Sequence, residues 1–191
     1  MVVIDGPSSV GKSTTVAALQ EDWQRVGTGP LLDVGLDQTL GSLGSATLPR
    51  WWDLIHSYDP SHDEPFERVT WGPLGRELIG VMHRAAALWA RAGFDVVVEH
   101  VLLDRITATD LAASLDGLPV LHVGLTCDPD VLEDRERDHL GLAGIAPGGA
   151  LAELAATQDV AVRDLLLDTT EMATEEIVDA ILEELARRRD R

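Results

Sequence analysis

One stretch constrains this chain more than any other. Residues 1–15 read MVVIDGPSSVGKSTT. An apolar run leads into Gly6-Pro7-Ser8-Ser9-Val10-Gly11-Lys12-Ser13, which matches G-x-x-x-x-G-K-[ST] at every position. Residues 1–5 have the form of a short buried parallel strand. Residues 12–26 place Val16, Leu19, Trp23 and Val26 at helical spacing. A strand that turns through glycines into a helix presents backbone N–H groups and a positive helix end to one point, which suits a polyphosphate. The chain has a single lysine, and it is Lys12; every other basic residue is an arginine. At this place an ammonium group acts as a point charge on β- and γ-phosphates, and the Ser13 hydroxyl suits Mg²⁺. The predicted nucleotide-binding set is therefore Gly6, Ser8, Ser9, Val10, Gly11, Lys12, Ser13 and Thr14. The alternative, a chance Gly/Ser turn with a solvated lysine, sits poorly with the strand and helix on either side.

The rest of the chain repeats the strand-then-helix order. LLDVGL (31–36), FDVVVEH (94–100), LPVLHVGLTC (118–127) and RDLLLDTT (163–170) read as further strands. Helices are expected over 75–93, closed by Gly93, and over 104–115. Another is expected over 128–140, with Asp128 as N-cap and Pro129 at its first position. Two more are expected over 150–161 and after Thr174. Residues 38–74 and 141–149 read as irregular. Five strands separated by helices predict an α/β fold with a mainly parallel sheet and right-handed crossovers. At 191 residues, with 45% hydrophobic content, one domain over 1–191 is expected.

The formal charge of −18 repels nucleic-acid backbones and anionic lipid, so neither is an expected partner. It does not exclude a small phosphorylated ligand in a locally positive pocket. A lone cysteine, Cys127, excludes an intrachain disulfide and a cysteine metal cluster. No apolar run is long enough to span a membrane, and no signal peptide is evident; a cytoplasmic location is expected.

Several side chains carry candidate chemistry. Asp37 follows the second strand, where ligands of open α/β sheets bind. It could accept the proton of an attacking hydroxyl, hold Mg²⁺ through water, or simply cap a turn. Glu99 and His100 end the third strand. Glu99 is a candidate for a metal-water or substrate contact, and His100 for a structural residue or pocket wall. Arg135 and Arg137 precede the Gly-rich break. They could close over a transferring phosphoryl group or pair with the acids of EDRERD. Trp51, Trp52, Tyr58, Phe66 and Trp71 put five of the chain's eight aromatics in the irregular segment. They line an acceptor pocket or form the local core of a small lid.

Taken together, IDGPSSVGKST, VGLDQTL, GPLGRELIGVMHRAAALWARAGFDVVVEHVLL, VGLTCDPDVLEDRER and LLLDTT resemble the chloramphenicol phosphotransferase-like group of small P-loop kinases, in family order over nearly the whole chain. The resemblance implies a P-loop kinase fold, with 38–74 as acceptor-binding segment and 135–150 as lid. It implies transfer of the γ-phosphoryl of ATP or GTP, with Mg²⁺, to a hydroxyl of a small molecule, often an antibiotic. Asp37 matches the general base of the family. Catalytic roles are expected for Asp37, Lys12, Arg135 and Arg137. Acceptor contacts are expected from Asp37, Trp51, Trp52, Trp71, Glu99 and His100, and metal contacts from Ser13 and Glu99. The chain departs from the family pattern in the Glu99-His100 pair, where two acids are usual, in a lid without further arginines, and throughout 38–74. Chloramphenicol is therefore one candidate acceptor and a nucleoside or other polyhydroxylated antibiotic another. A metabolic kinase and a nucleotide-binding regulatory protein stay open as alternatives, as does a homo-oligomer.

Overall fold

The structure, a computed structural model, describes residues 1–27, 29–43, 56–58, 69–143 and 149–189. Five parallel strands form the main sheet: β1 (Val2–Asp5), β2 (Leu31–Asp33), β5 (Asp95–His100), β6 (Leu121–Thr126) and β7 (Leu165–Asp168), in the order β2-β5-β1-β6-β7. All four pairings are parallel, and β1 lies at the centre, with Asp5 opposite both His100 and Gly124. The second strand is shorter than the sequence implied. It stops at Asp33, and helix α2 (Leu36–Gly41) starts where strand had been expected to end. Two three-residue strands, β3 (His56–Tyr58) and β4 (Val69–Trp71), pair antiparallel within the segment read as irregular.

Helices cover both faces of the sheet. α1 (Lys12–Asp22), continued by a 3-10 turn at Trp23–Arg25, and α7 (Thr174–Arg189) pack on one side. Alternation along the strands decides what each side receives. Val2, Ile4, Val97, Leu121, Val123, Leu125 and Leu167 meet Val16 and Leu19 of α1 and Ile177, Ile181 and Leu182 of α7. The opposite face sends Val3, Val96 and Val98 against α3 (Pro73–Arg91) and α4 (Arg105–Ser114), through Ile79, Met82, Ala86 and Leu111. Both helices have start signals legible in the chain. Pro73 takes an early position in α3, and the Asp104 side chain accepts the Thr107 N–H at 2.8 Å. α5 (Pro129–Ala143) and α6 (Gly149–Thr157) flank residues 144–148, which lie outside the described residues. No described helix is long and apolar enough to cross a membrane.

That second face also carries buried charge. Asp5, the last residue of β1, receives both Nε and Nη2 of Arg163 at 2.9 Å and meets His122 Nε2 at 2.8 Å. Burial works to raise the Asp5 pKa, but the hydrogen bonds from His122 and Arg163 outweigh it and hold the carboxyl below its usual value. The strand that delivers the glycine loop is thereby anchored at its last residue.

Candidate active site

The loop between β1 and α1 closes over the carboxyl ends of the central strands. Gly6 N–H donates to the His100 carbonyl at 3.4 Å. Ser9 (φ 62°) and Gly11 (φ 100°) take left-handed backbone conformations. Gly11 adopts its angle without the Cβ penalty that another residue would carry there. α1 starts immediately after it. Its first turn holds no acid and its N-cap, Gly11, has no side chain to cap it, so neither competes for the N–H groups and dipole at its start. Lys12 is buried and its Nζ donates to the Pro7 carbonyl at 2.8 Å, folding the ammonium back over the loop.

Two acids lie near that ammonium from different directions. Glu99, near the end of β5, accepts the Ser13 hydroxyl at 2.9 Å. Burial is the main force raising its pKa, opposed by Lys12 and Ser13 and reinforced by the charges of Asp37 and Asp33. Glu153, on α6, accepts the Ser8 N–H at 2.6 Å. Its pKa too is raised, by burial first, against the pull of Lys12.

Asp33 and Asp37 bracket Gly35 at the start of α2. A Cβ at Gly35 would stand 3.0 Å from Asp33 Oδ1 and 3.1 Å from the Glu99 Cβ, which measures how closely these groups converge. Asp33 Oδ2 accepts from Gln38, while its buried Oδ1 has no hydrogen-bond partner among the described residues. Desolvation raises its pKa. Asp37 is exposed in the first turn of α2. The structure thus gathers Lys12, Ser13, Glu99 and Asp37 at one end of the sheet.

The arginines part company. Arg135 reaches Thr169, donating to its Oγ1 at 3.0 Å and its carbonyl at 2.7 Å; the Thr169 hydroxyl in turn donates to the Val10 carbonyl at 3.0 Å. Arg135 is thus tied to the phosphate loop through one residue. Arg137 instead pairs with Asp134 at 2.6 Å on the outer surface of α5.

His100 points to the opposite face from Glu99, as adjacent strand residues must. It is fully buried, with Nε2 2.9 Å from Nε2 of His83, whose Nδ1 lies 2.6 Å from Asp110. With the His83 proton given to Asp110, His100 donates to His83, and its own Nδ1 has no partner among the described residues. Burial, and then His83, lowers the His100 pKa to about 3. Trp71 is in the core, its indole N–H on the Val101 carbonyl at 3.2 Å. Trp51 and Trp52 lie outside the described residues.

Reading the chain did not single out Asp33, Glu136 or Glu153. Glu153 left one trace, as the only charged residue in GALAELAAT. Among the described residues, no group of three or more His, Cys, Asp or Glu is arranged to hold a metal ion. The oxygen pair Ser13 and Glu99, beside the unpartnered Asp33 Oδ1, fits a hard cation that keeps most of its ligands as water and phosphate.

Compared with protein-family models, the chain matches the one described as chloramphenicol phosphotransferase-like protein over residues 1–186. No curated protein matches it. Among solved structures it is similar to a sugar kinase from Janibacter sp., at 19% identity over 95% of this chain and 91% of that one, with a TM-score of 0.61. It is similar to a tunicamycin resistance protein from Deinococcus radiodurans, at 20% identity over 96% and 94%, with a TM-score of 0.57. An APS kinase from Mycobacterium tuberculosis matches at 15% identity over 97% and 96%, with a TM-score of 0.58. At these identities the likeness is one of fold.

Proposed function

The chain belongs to the chloramphenicol phosphotransferase-like family, and from that premise we propose that it moves the γ-phosphoryl group of ATP or GTP onto a hydroxyl of an antibiotic. The broader class, a small-molecule P-loop kinase with a hydroxyl acceptor, follows from the family. The donor, the metal and the acceptor are our reading. The observation that carries it is the buried Lys12 ammonium held over an uncapped helix start, with Ser13 on Glu99 beside it.

In this reading the loop from Gly6 to Thr14 binds the triphosphate through backbone N–H groups, and Lys12 stabilises charge on the transferring group. Ser13 and Glu99 would hold Mg²⁺, which when bound supplies further charge neutralisation to the phosphates. Asp37, exposed beyond the end of β2, orients the acceptor hydroxyl and takes its proton. Arg135, held by Thr169 next to Val10, lies on the far side of the loop from Asp37 and is assigned to the donor. Arg137 would need to leave Asp134 to take part, and Trp51 and Trp52 are kept as acceptor contacts on the crowding of aromatics in 38–74 alone.

The acceptor is a neutral or cationic polyhydroxyl compound, because the ground around Asp37 is acidic: Asp33 and Glu99 are its neighbours. One structural relative is described as a tunicamycin resistance protein, which puts tunicamycin on the panel to be tested. The test incubates the protein with Mg²⁺, ATP or GTP, and a panel of hydroxyl-bearing antibiotics and sugars, and reads products by mass spectrometry. Gain of one phosphate on an antibiotic is the expected result. Transfer to sugars alone would move the acceptor class, and transfer to nothing on the panel would overturn the reading.

A further inference from the structure

The proposed reaction leaves one buried acid at the loop without a task. Glu153 is 4% exposed and sits on an otherwise uncharged helix. A carboxylate in such a place needs partners that offset its desolvation. Its partners are the Ser8 N–H at 2.6 Å and the field of Lys12. Both belong to the segment whose amides and ammonium are to receive a triphosphate. The other charge that acts on it is Glu136 of α5, which is also buried and makes its negative form still less favourable.

We propose that Glu153 is an internal anion that holds the phosphate loop in the resting protein and gives it up when a triphosphate binds, so that it sets donor affinity as a positioning residue. The proposal rests on the reading of this loop as the donor site. Two anions of like sign cannot share one ammonium and one loop without repulsion in a desolvated site. Binding energy from the triphosphate is therefore partly used to displace the resident carboxylate, and α6 feels the displacement. The helix is held at its other end by Glu136, whose Oε1 accepts the Ala150 N–H at 2.9 Å. Glu136 is the neighbour of Arg135 in the chain, so loss of the Glu153 contact leaves α6 tethered to the helix that carries the donor-side arginine.

The test is calorimetric titration of the full chain and its E153Q and E153A variants with inorganic tripolyphosphate and, separately, with adenosine. Gln keeps an oxygen for the Ser8 N–H but removes the charge. Tripolyphosphate should bind E153Q about ten-fold more tightly than the unaltered chain, with adenosine binding unchanged. A contact that merely supports the fold predicts the opposite sign, weaker binding in both variants. Hydrogen exchange on the unaltered chain gives a readout free of substitution. Saturating tripolyphosphate should slow exchange in the loop and speed it in residues 149–157. Tripolyphosphate binding that is equal or weaker in both variants, or α6 exchange that is unchanged or slower, overturns the role of Glu153 and leaves the donor-site reading standing. Absence of tripolyphosphate binding in all three proteins overturns both.

Discussion

The two flanks of the phosphate loop are built on opposite plans. On the strand side, where Ser13 meets Glu99, polar groups converge with capacity to spare. Among the described residues Asp33 has an oxygen without a partner, Asp37 faces solvent, and Glu99 accepts one hydrogen bond from Ser13. On the helix side the contacts close on themselves. Ser8 is given to Glu153, and Val10 to Thr169, which is held twice by Arg135. A flank with free oxygens is suited to receive a hydroxyl and a cation, and one with closed contacts is suited to hold a loop in shape. The contrast teaches that one loop can be prepared for chemistry on one side and held in its resting shape on the other, and that the strand side is where rate, rather than fold, should be lost on substitution.

The largest effect should come from Asp37→Ala on the open flank. Turnover should fall by about 10²-fold or more, on the scale of a lost general base, with nucleotide affinity measured by calorimetry nearly unchanged. Near-normal turnover would move the chemistry away from this flank and break the comparison.

A smaller effect should follow from pH, read beneath the same flank. His83 and His100 are both held below the ordinary imidazole value, burial being the first cause for each. The unfolded chain therefore takes up protons that the folded chain does not, so their contribution to stability is complete above about pH 6.5 and declines as pH falls toward 3. For His100 alone the loss between pH 7 and 5 is about 2 kcal/mol. Urea unfolding at pH 7 and pH 5 measures the decline, and the His100 ring signal in NMR should stay at its neutral position down to about pH 4. A His100 that titrates near pH 6 would contradict its burial against His83.

The smallest effect on turnover belongs to the closed flank. Thr169→Val removes the hydroxyl that joins Val10 to Arg135 and leaves a buried carbonyl unpaired, at a cost of about 1–3 kcal/mol in urea unfolding. Turnover of the folded fraction should change little. If Thr169→Val lowers turnover as far as Asp37→Ala does, the two flanks do not differ in the way described.

Legibility in the chain followed distance along it. The loop was readable because its glycines, lysine and serine are contiguous, and β1 and β5 because parallel strands buried on both faces are unbroken apolar runs. Glu99 stood out by ending such a run. What escaped was made by contacts distant in sequence. Glu153 and Ser8 are 145 positions apart, and nothing near either predicts the other. In the sequence Asp33 looks like the interior of a strand, because the turn into α2 rests on Gly35 and the short span Leu36–Gly41, too brief for a helical period to register. β3 and β4 have three residues each, below what alternation can reveal. The sequence leaves His100 open between a structural role and a pocket wall; its partner His83 lies on a helix that no local pattern links to the strand. Trp71 looked like its aromatic neighbours in sequence, yet its indole is committed to Val101 in the core.

The most direct test of the whole account is calorimetry with Mg²⁺ and ATP or GTP on the unaltered chain and on Lys12→Ala. The account predicts saturable one-to-one binding of at least one triphosphate to the unaltered chain, and loss of most of that binding when the single ammonium is removed. Equal binding by both proteins, or no binding by either, would contradict it.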